Sequence, residues 1–199
     1  MIGIIDYGLG NLNSFYNIYK EKGINLKLIK NYKEINKSIN KLILPGVGSF
    51  DKAIYLLDKQ YLFNAIIEFS ENKNNKILGV CVGMQILASA SDEGQLTGLS
   101  FIDKNFHKIK NSVIPHIGWN NVALKKNHYL FRGIENESFF YFLHSYCMYK
   151  IDTEYIVAET NYGHNFISVF QKENIIGVQF HPEKSHSQGQ KLLLNFYNN

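Results

Sequence analysis

Two short stretches carry residue types that could do covalent chemistry. The first is KILGVCVGMQIL, in which Cys81 stands between Gly79 and Gly83. Residues 77–80 read as an apolar strand and a helix begins at Val82, so the thiol falls on a sharp strand-to-helix turn. A small residue two positions away on either side lets the chain make that turn and is expected to lift the thiol above the sheet edge toward solvent. The helix start aims unpaired amides at the sulfur, which favour a thiolate and suit a developing oxyanion. The plainer alternative for so short a pattern is a buried structural cysteine beside a tight turn.

The second stretch is GVQFHPEKSH, where His181 ends an apolar strand and Glu183 follows two residues later. A cysteine nucleophile needs a base, and a histidine held by a carboxylate keeps the tautomer that can take the thiol proton and later protonate a leaving group. Alone, HPE is more often a surface turn.

Two glycine-bearing loops, YGLGN after Ile5 and PGVGSF after Leu44, sit at expected strand ends, where a doubly wound sheet binds ligands. Neither is a GxGxxG dinucleotide fingerprint, and GxxxxGK[ST] is absent from the chain. A tight turn is reading enough for YGLGN, whereas in PGVG the amides of Val47 and Gly48 are candidates to face Cys81 across the sheet edge and complete an oxyanion hole. His181 and His186 have no helical zinc spacing, and His107, His116, His128, His144 and His164 are spread singly, so no metal site is expected. Trp119 and the run from Phe139 to Phe142 are by default core residues of strands.

The elements that must position these residues follow from periodicity. Strands are expected over 2–5, 26–29, 42–44 and 77–80, and helices over 12–22, 32–39, 50–57, 61–71 and 84–90. That alternation predicts an α/β fold: a doubly wound, mostly parallel sheet flanked by helices. The second half is β-rich, with strands expected over 113–124, 139–149, 155–159, 167–171 and 175–180 that extend the sheet. A closing helix over 188–197 would turn Leu192, Leu193 and Phe196 inward. No repeat or linker divides the chain, so residues 1–199 read as one domain.

Composition agrees. The 199 residues carry 21 Lys and Arg against 17 Asp and Glu, a formal charge of +4, with 45% hydrophobic residues, enough for one packed core. Arg132 is the only arginine and the lysines are scattered, which argues against nucleic-acid binding. Two cysteines make no disulfide framework, and no basic leader or long apolar run marks a signal or a membrane span. A soluble, cytoplasmic protein is expected.

IDYGLGN, LPGVGSF, GVCVGMQ, PHIGWN, FLHSY and FHPEKS occur in an order and spacing that resembles the class I glutamine amidotransferases, over nearly the whole chain. Within them the resemblance is to glutaminase subunits that form a heterodimer with a (β/α)8 barrel synthase. The resemblance implies that Cys81 forms a γ-glutamyl thioester on L-glutamine, that His181 is base and acid, and that Glu183 orients it. It implies an oxyanion hole at Gly46, Val47 and the Val82 amide, and substrate contacts at Gln85, Ser145 and Tyr146. It places Asn11, Trp119, Tyr141 and Lys184 at the partner interface, and it implies neither cofactor nor metal. Ammonia would pass through the barrel to a site making imidazole glycerol phosphate and an aminoimidazole carboxamide ribotide, a step of histidine biosynthesis. The segments FIDKNFHKIK and SHSQG also resemble paralogous subunits that supply ammonia for amidine formation on bacterial surface sugars.

Overall fold

The computed structural model describes residues 1–111 and 113–199. Its centre is an eight-stranded sheet built from β1 (Ile2–Ile5), β2 (Leu26–Ile29), β3 (Lys41–Leu44), β4 (Lys76–Val80), β8 (Ala123–Leu124), β11 (Ile156–Tyr162), β12 (His164–Lys172) and β13 (Ile175–Val178). The order is β2-β1-β3-β4-β13-β12-β11-β8. The first five strands in that order run parallel, and β12, β11 and β8 are then added by successive antiparallel pairings. β1 and β13 are buried at every position, as strands covered on both faces must be, which is why they read as unbroken apolar runs.

The described residues form five α-helices: α1 (Leu12–Lys20), α2 (Phe50–Lys59), α3 (Leu62–Glu71), α4 (Val82–Gln85) and α5 (His186–Asn198). Buried Tyr19 of α1 donates to the Leu193 carbonyl of α5 at 2.9 Å, and Leu192, Leu193 and Phe196 are fully buried as expected. α2 packs on α3 and α4. Among the described residues no helix is long and apolar enough to cross a membrane.

Several sequence expectations need correction. Residues 32–39 form only a 3-10 turn at Tyr32–Glu34. The helix expected over 84–90 is the single turn α4, followed by β5 (Ala88–Ser91), which pairs with β6 (Ile102–Lys108). The apolar stretch around Ile86 and Leu87 carries no period that tells helix from strand, because residues 81–88 are all buried. The second-half strands do not all extend the main sheet. β7 (His116–Asn121) and β9 (Phe139–His144) form a separate two-stranded sheet, and β10 (Tyr146–Cys147) joins β6 and β5 in a three-stranded one. The two-stranded sheet reaches the main body through a return segment: the His181 amide donates to the Tyr141 carbonyl at 2.8 Å, and the fully buried Ser185 hydroxyl accepts from the Tyr141 amide at 3.0 Å.

Candidate active site

The parallel strands β4 and β13 are neighbours, with Val80 opposite Val178, so the chain leaves both at the same sheet edge. Cys81 follows the first and His181 the second. Cys81 takes φ 54° and ψ −113°, a left-handed conformation that a side chain adopts only under constraint. The constraint is close packing. A Cβ on Gly83 would lie 1.8 Å from the Leu44 carbonyl oxygen, one on Gly79 2.4 Å from the Gly83 oxygen, and one on Gly46 2.6 Å from the Gly83 nitrogen. The elbow and the PGVG loop are thus pressed together, and only glycine permits it. Tyr7 of the YGLGN loop ties in the same corner by donating to the Pro45 carbonyl at 2.5 Å.

Contrary to expectation, the thiol does not face solvent: Cys81 is 2% exposed. Its Sγ lies 3.6 Å from the Leu143 carbonyl oxygen, to which a thiol donates, and 3.9 Å from Nε2 of Gln179, which donates to sulfur. β9 roofs the elbow, a contact between distant parts of the chain that spacing does not reveal.

His181 Nδ1 is 2.9 Å from Oε1 of Glu183, with the two side chains 1% and 2% exposed. The carboxylate therefore holds the ring proton at Nδ1 and leaves Nε2, buried and without a hydrogen-bond partner, for chemistry. Burial works to lower the His181 pKa, but negative charge at Cys81 and the hydrogen-bonded Glu183 carboxylate outweigh it and raise it to about 10. His181 is set up to take the Cys81 proton.

A cavity of about 220 Å³ opens beside the thiol, lined among others by Val47, Gly48, Val82, Gln85, Ser145 and Tyr146. Gln85 is 2% exposed; its Nε2 donates to the Tyr146 carbonyl at 3.3 Å, and its Oε1 is buried without a partner. The Val82 and Val47 amides make no hydrogen bond among the described residues.

The chain matches the family model described as glutamine amidotransferase class-I over residues 3–199. The chain belongs to this family. It is 43% identical over 202 residues to the imidazole glycerol phosphate synthase subunit HisH of Leptospira borgpetersenii, and 40% identical over 202 residues to the subunit of that name from Bdellovibrio bacteriovorus; 98% of each chain is covered in both cases. Two solved structures share the class I amidotransferase fold at low identity. One is titled as a glutamine amidotransferase (TM-score 0.78, 14% identity, 99% of this chain and 97% of that one) and the other as PurLQS from Thermotoga maritima (TM-score 0.77, 17% identity, 99% and 97%).

In this amidotransferase the structure brings Cys81, Val82, Val47, Gln85, Ser145 and Tyr146 around one cavity; His181, paired with Glu183, does not line it but interacts with Cys81, and Gly46 is buried against the elbow. Trp119, which is exposed, and the half-buried Tyr141 and Lys184 form one chain of contacts. Trp119 meets Tyr141 edge to face at 6.1 Å, and Lys184 Nζ lies 5.7 Å from the Tyr141 ring centre. Trp119 is 45% exposed, so it is not the core residue expected by default, nor is Phe139, at 58%; Phe140 and Phe142 are buried. Asn11 is exposed at the start of α1, which packs against the 3-10 turn Pro182–Lys184.

Sequence reading missed Glu93, which lines the cavity while its Oε2 accepts from the Phe50 amide at 2.7 Å, capping α2. It also took His116 and His144 as isolated. They are register partners across β7 and β9, and His144 lines the cavity. No local signal marks either fact, because both depend on elements that are distant in sequence.

Proposed function

We propose that this amidotransferase hydrolyses L-glutamine at Cys81 and hands the ammonia to a (β/α)8 barrel synthase, as the glutaminase subunit of an imidazole glycerol phosphate synthase in histidine biosynthesis. The observation that carries the chemistry is the strained Cys81 elbow, which opens on a small cavity and is backed by the buried His181–Glu183 pair. The identity of the relatives as imidazole glycerol phosphate synthase subunits supports the pathway, and favours it over amidine formation on surface sugars.

Cys81 gives its thiol proton to Nε2 of His181 as its sulfur attacks the side-chain carbonyl carbon of glutamine, and the carbonyl oxygen becomes an oxyanion received by the Val82 amide and the Gly46–Val47 segment. His181 gives its Nε2 proton to the leaving nitrogen, so ammonia departs and a γ-glutamyl thioester remains. A water molecule, deprotonated by the now neutral His181, then attacks the thioester; glutamate leaves and the thiol is restored. Glu183 keeps the imidazole oriented throughout. The unpartnered Gln85 oxygen and the Glu93 carboxylate suit the α-ammonium group of the substrate, and Ser145 and Tyr146 wall the cavity. Trp119, Tyr141 and Lys184, with Asn11 nearby, form the docking face. Both cysteines are free, which suits a reducing cytoplasmic compartment.

The test is glutamate release by the purified chain alone, with a barrel partner, and with partner plus acceptor ligand, together with mapping of the adduct left by a diazoketone analogue of glutamine. Stimulation by the partner and an adduct on Cys81 are expected. An adduct confined to Cys147, whose thiol burial pushes up to about 12, would end the assignment.

A further inference from the structure

Behind the wall formed by Ser145 and Tyr146 runs a line of hydrogen bonds that the reaction above does not use. His116 and His144 are 2% and 5% exposed. Nδ1 of His116 lies 3.1 Å from Nε2 of His144. Nδ1 of His144 lies 2.9 Å from the Tyr146 carbonyl oxygen, and Nε2 of His116 lies 3.2 Å from Nδ2 of Asn120.

The two ends decide the direction of every bond. A carbonyl oxygen only accepts, so His144 carries its proton on Nδ1 and its Nε2 is an acceptor. That acceptor requires a donor, so His116 is also protonated at Nδ1 and its Nε2 accepts from Asn120. The Asn120 amide is oriented independently to agree: its Oδ1 accepts from the Asn121 amide at 2.8 Å, and its Nδ2 donates to the Asn161 carbonyl at 2.9 Å. Both imidazoles are therefore neutral, with single tautomers. The His116 ring is clamped between Phe142 at 4.7 Å and Tyr162 at 4.0 Å, each within 16° of parallel. Burial holds both rings neutral, lowering His116 to about 4 and His144 to about 3. The charges that reach His144 are those of His116 and His181, and both oppose a proton on it.

The Tyr146 carbonyl at the end of this line is the one that also accepts from Gln85 Nε2, and that bond leaves Gln85 Oε1 free at the cavity. Residues 143–146 thus meet the thiol through the Leu143 carbonyl, the relay through His144, and the cavity through Ser145 and Tyr146. We infer that His116 and His144 are positioning residues for glutamine: the directed line Asn120, His116, His144, Tyr146 holds the 143–146 wall and fixes Gln85 with its oxygen toward the substrate's ammonium group. The inference rests on glutamine being the substrate.

The experiment compares three forms of the full chain: the parent, His116→Phe, which keeps the ring stack but removes the donor, and His116→Asn, which restores an N–H near the Nδ1 position. Inactivation by the diazoketone analogue of glutamine separates affinity (KI) from maximal rate, and alkylation by iodoacetamide reads the thiol alone. His116→Phe should raise KI about tenfold, the scale of one lost buried donor, with the maximal rate and the alkylation rate within about twofold; His116→Asn should recover most of the affinity. An unchanged KI in His116→Phe, or a fall in alkylation matching the loss of affinity, overturns the inference. Ring ¹⁵N shifts read the tautomers without substrate: Nδ1–H on both rings at pH 7 is expected, and Nε2–H on His144 overturns the relay. If the analogue fails to label even the parent, it is glutamine as substrate that falls, and the tautomers still decide the relay.

Discussion

Cys81 at φ 54° and ψ −113° is held in a conformation that costs a residue with a Cβ about 1–3 kcal/mol, and the glycine contacts around it show where that cost is met. Glycine at the same position adopts such angles without a clash. Cys81→Gly is therefore expected to abolish glutamate release while leaving thermal stability equal to the parent or higher by about 1 kcal/mol. Parallel unfolding curves and glutaminase assays check this, and a clearly destabilised Cys81→Gly would show that the thiol's packing outweighs its backbone strain. His181→Asn should cost about as much activity as removing the thiol, because the two act as a unit. Glu183→Gln should cost less, since it keeps a partner for Nδ1 and loses only the charge.

At the scale of elements, the site is a junction of four chain segments: the elbow between β4 and α4, the PGVG loop after β3, the β9–β10 corner and the turn after β13. The first two are matched by the absence of side chains. Gly83→Ala places a methyl 1.8 Å from the Leu44 carbonyl oxygen, so β3 and the elbow must separate. Gly48, at φ 106°, has open space around its Cβ position, with only Leu9 at 4.0 Å. Gly48→Ala is strained in its backbone alone and should cost about 1–2 kcal/mol of stability, against a larger loss for Gly83→Ala. Glutaminase activity should fall in both, in Gly48→Ala because the loop next to the thiol is re-aimed. Urea unfolding of the two variants ranks them, and equal stabilities would show that the elbow relaxes freely.

For the whole molecule, three buried histidines give stability a definite dependence on pH. His116 and His144 have pKa values below the unfolded value of about 6.5. The folded state therefore binds fewer protons than the unfolded one in acid, and stability falls below pH 6.5, by up to about 1.4 kcal/mol per pH unit for each ring. His181 is raised, so its contribution is complete below pH 6.5 and is lost as pH climbs through about 10. Stability is expected to peak near pH 6.5, and His181→Asn should flatten only the alkaline limb. Denaturant midpoints from pH 4.5 to 9.5 measure it, and a parent profile with no acid limb would contradict neutral burial of the histidine pair. On the outer surface, Lys184→Ala should weaken binding of a barrel partner by about 2 kcal/mol if its charge pairs with a carboxylate that is partly desolvated on docking, with the unfolding midpoint unchanged. A calorimetric titration decides it, unchanged affinity placing Lys184 outside the interface.

Residue types and spacing alone determined the parallel core strands, the elbow and the HPE pair, because each is a local pattern: an apolar run buried on both faces, a cysteine between two glycines, a histidine two residues from a carboxylate. Tertiary structure decided what local patterns cannot carry. Whether the thiol is exposed depends on β9, whose Leu143 carbonyl covers it from 62 residues further along the chain. Glu93 joins the cavity because the Phe50 amide draws it there, and His116 meets His144 only because β7 pairs with β9 in one register. The one-turn length of α4 was hidden for the same reason. A segment buried on every side loses the periodicity by which helix and strand are told apart, and what it then becomes is chosen by its neighbours in space.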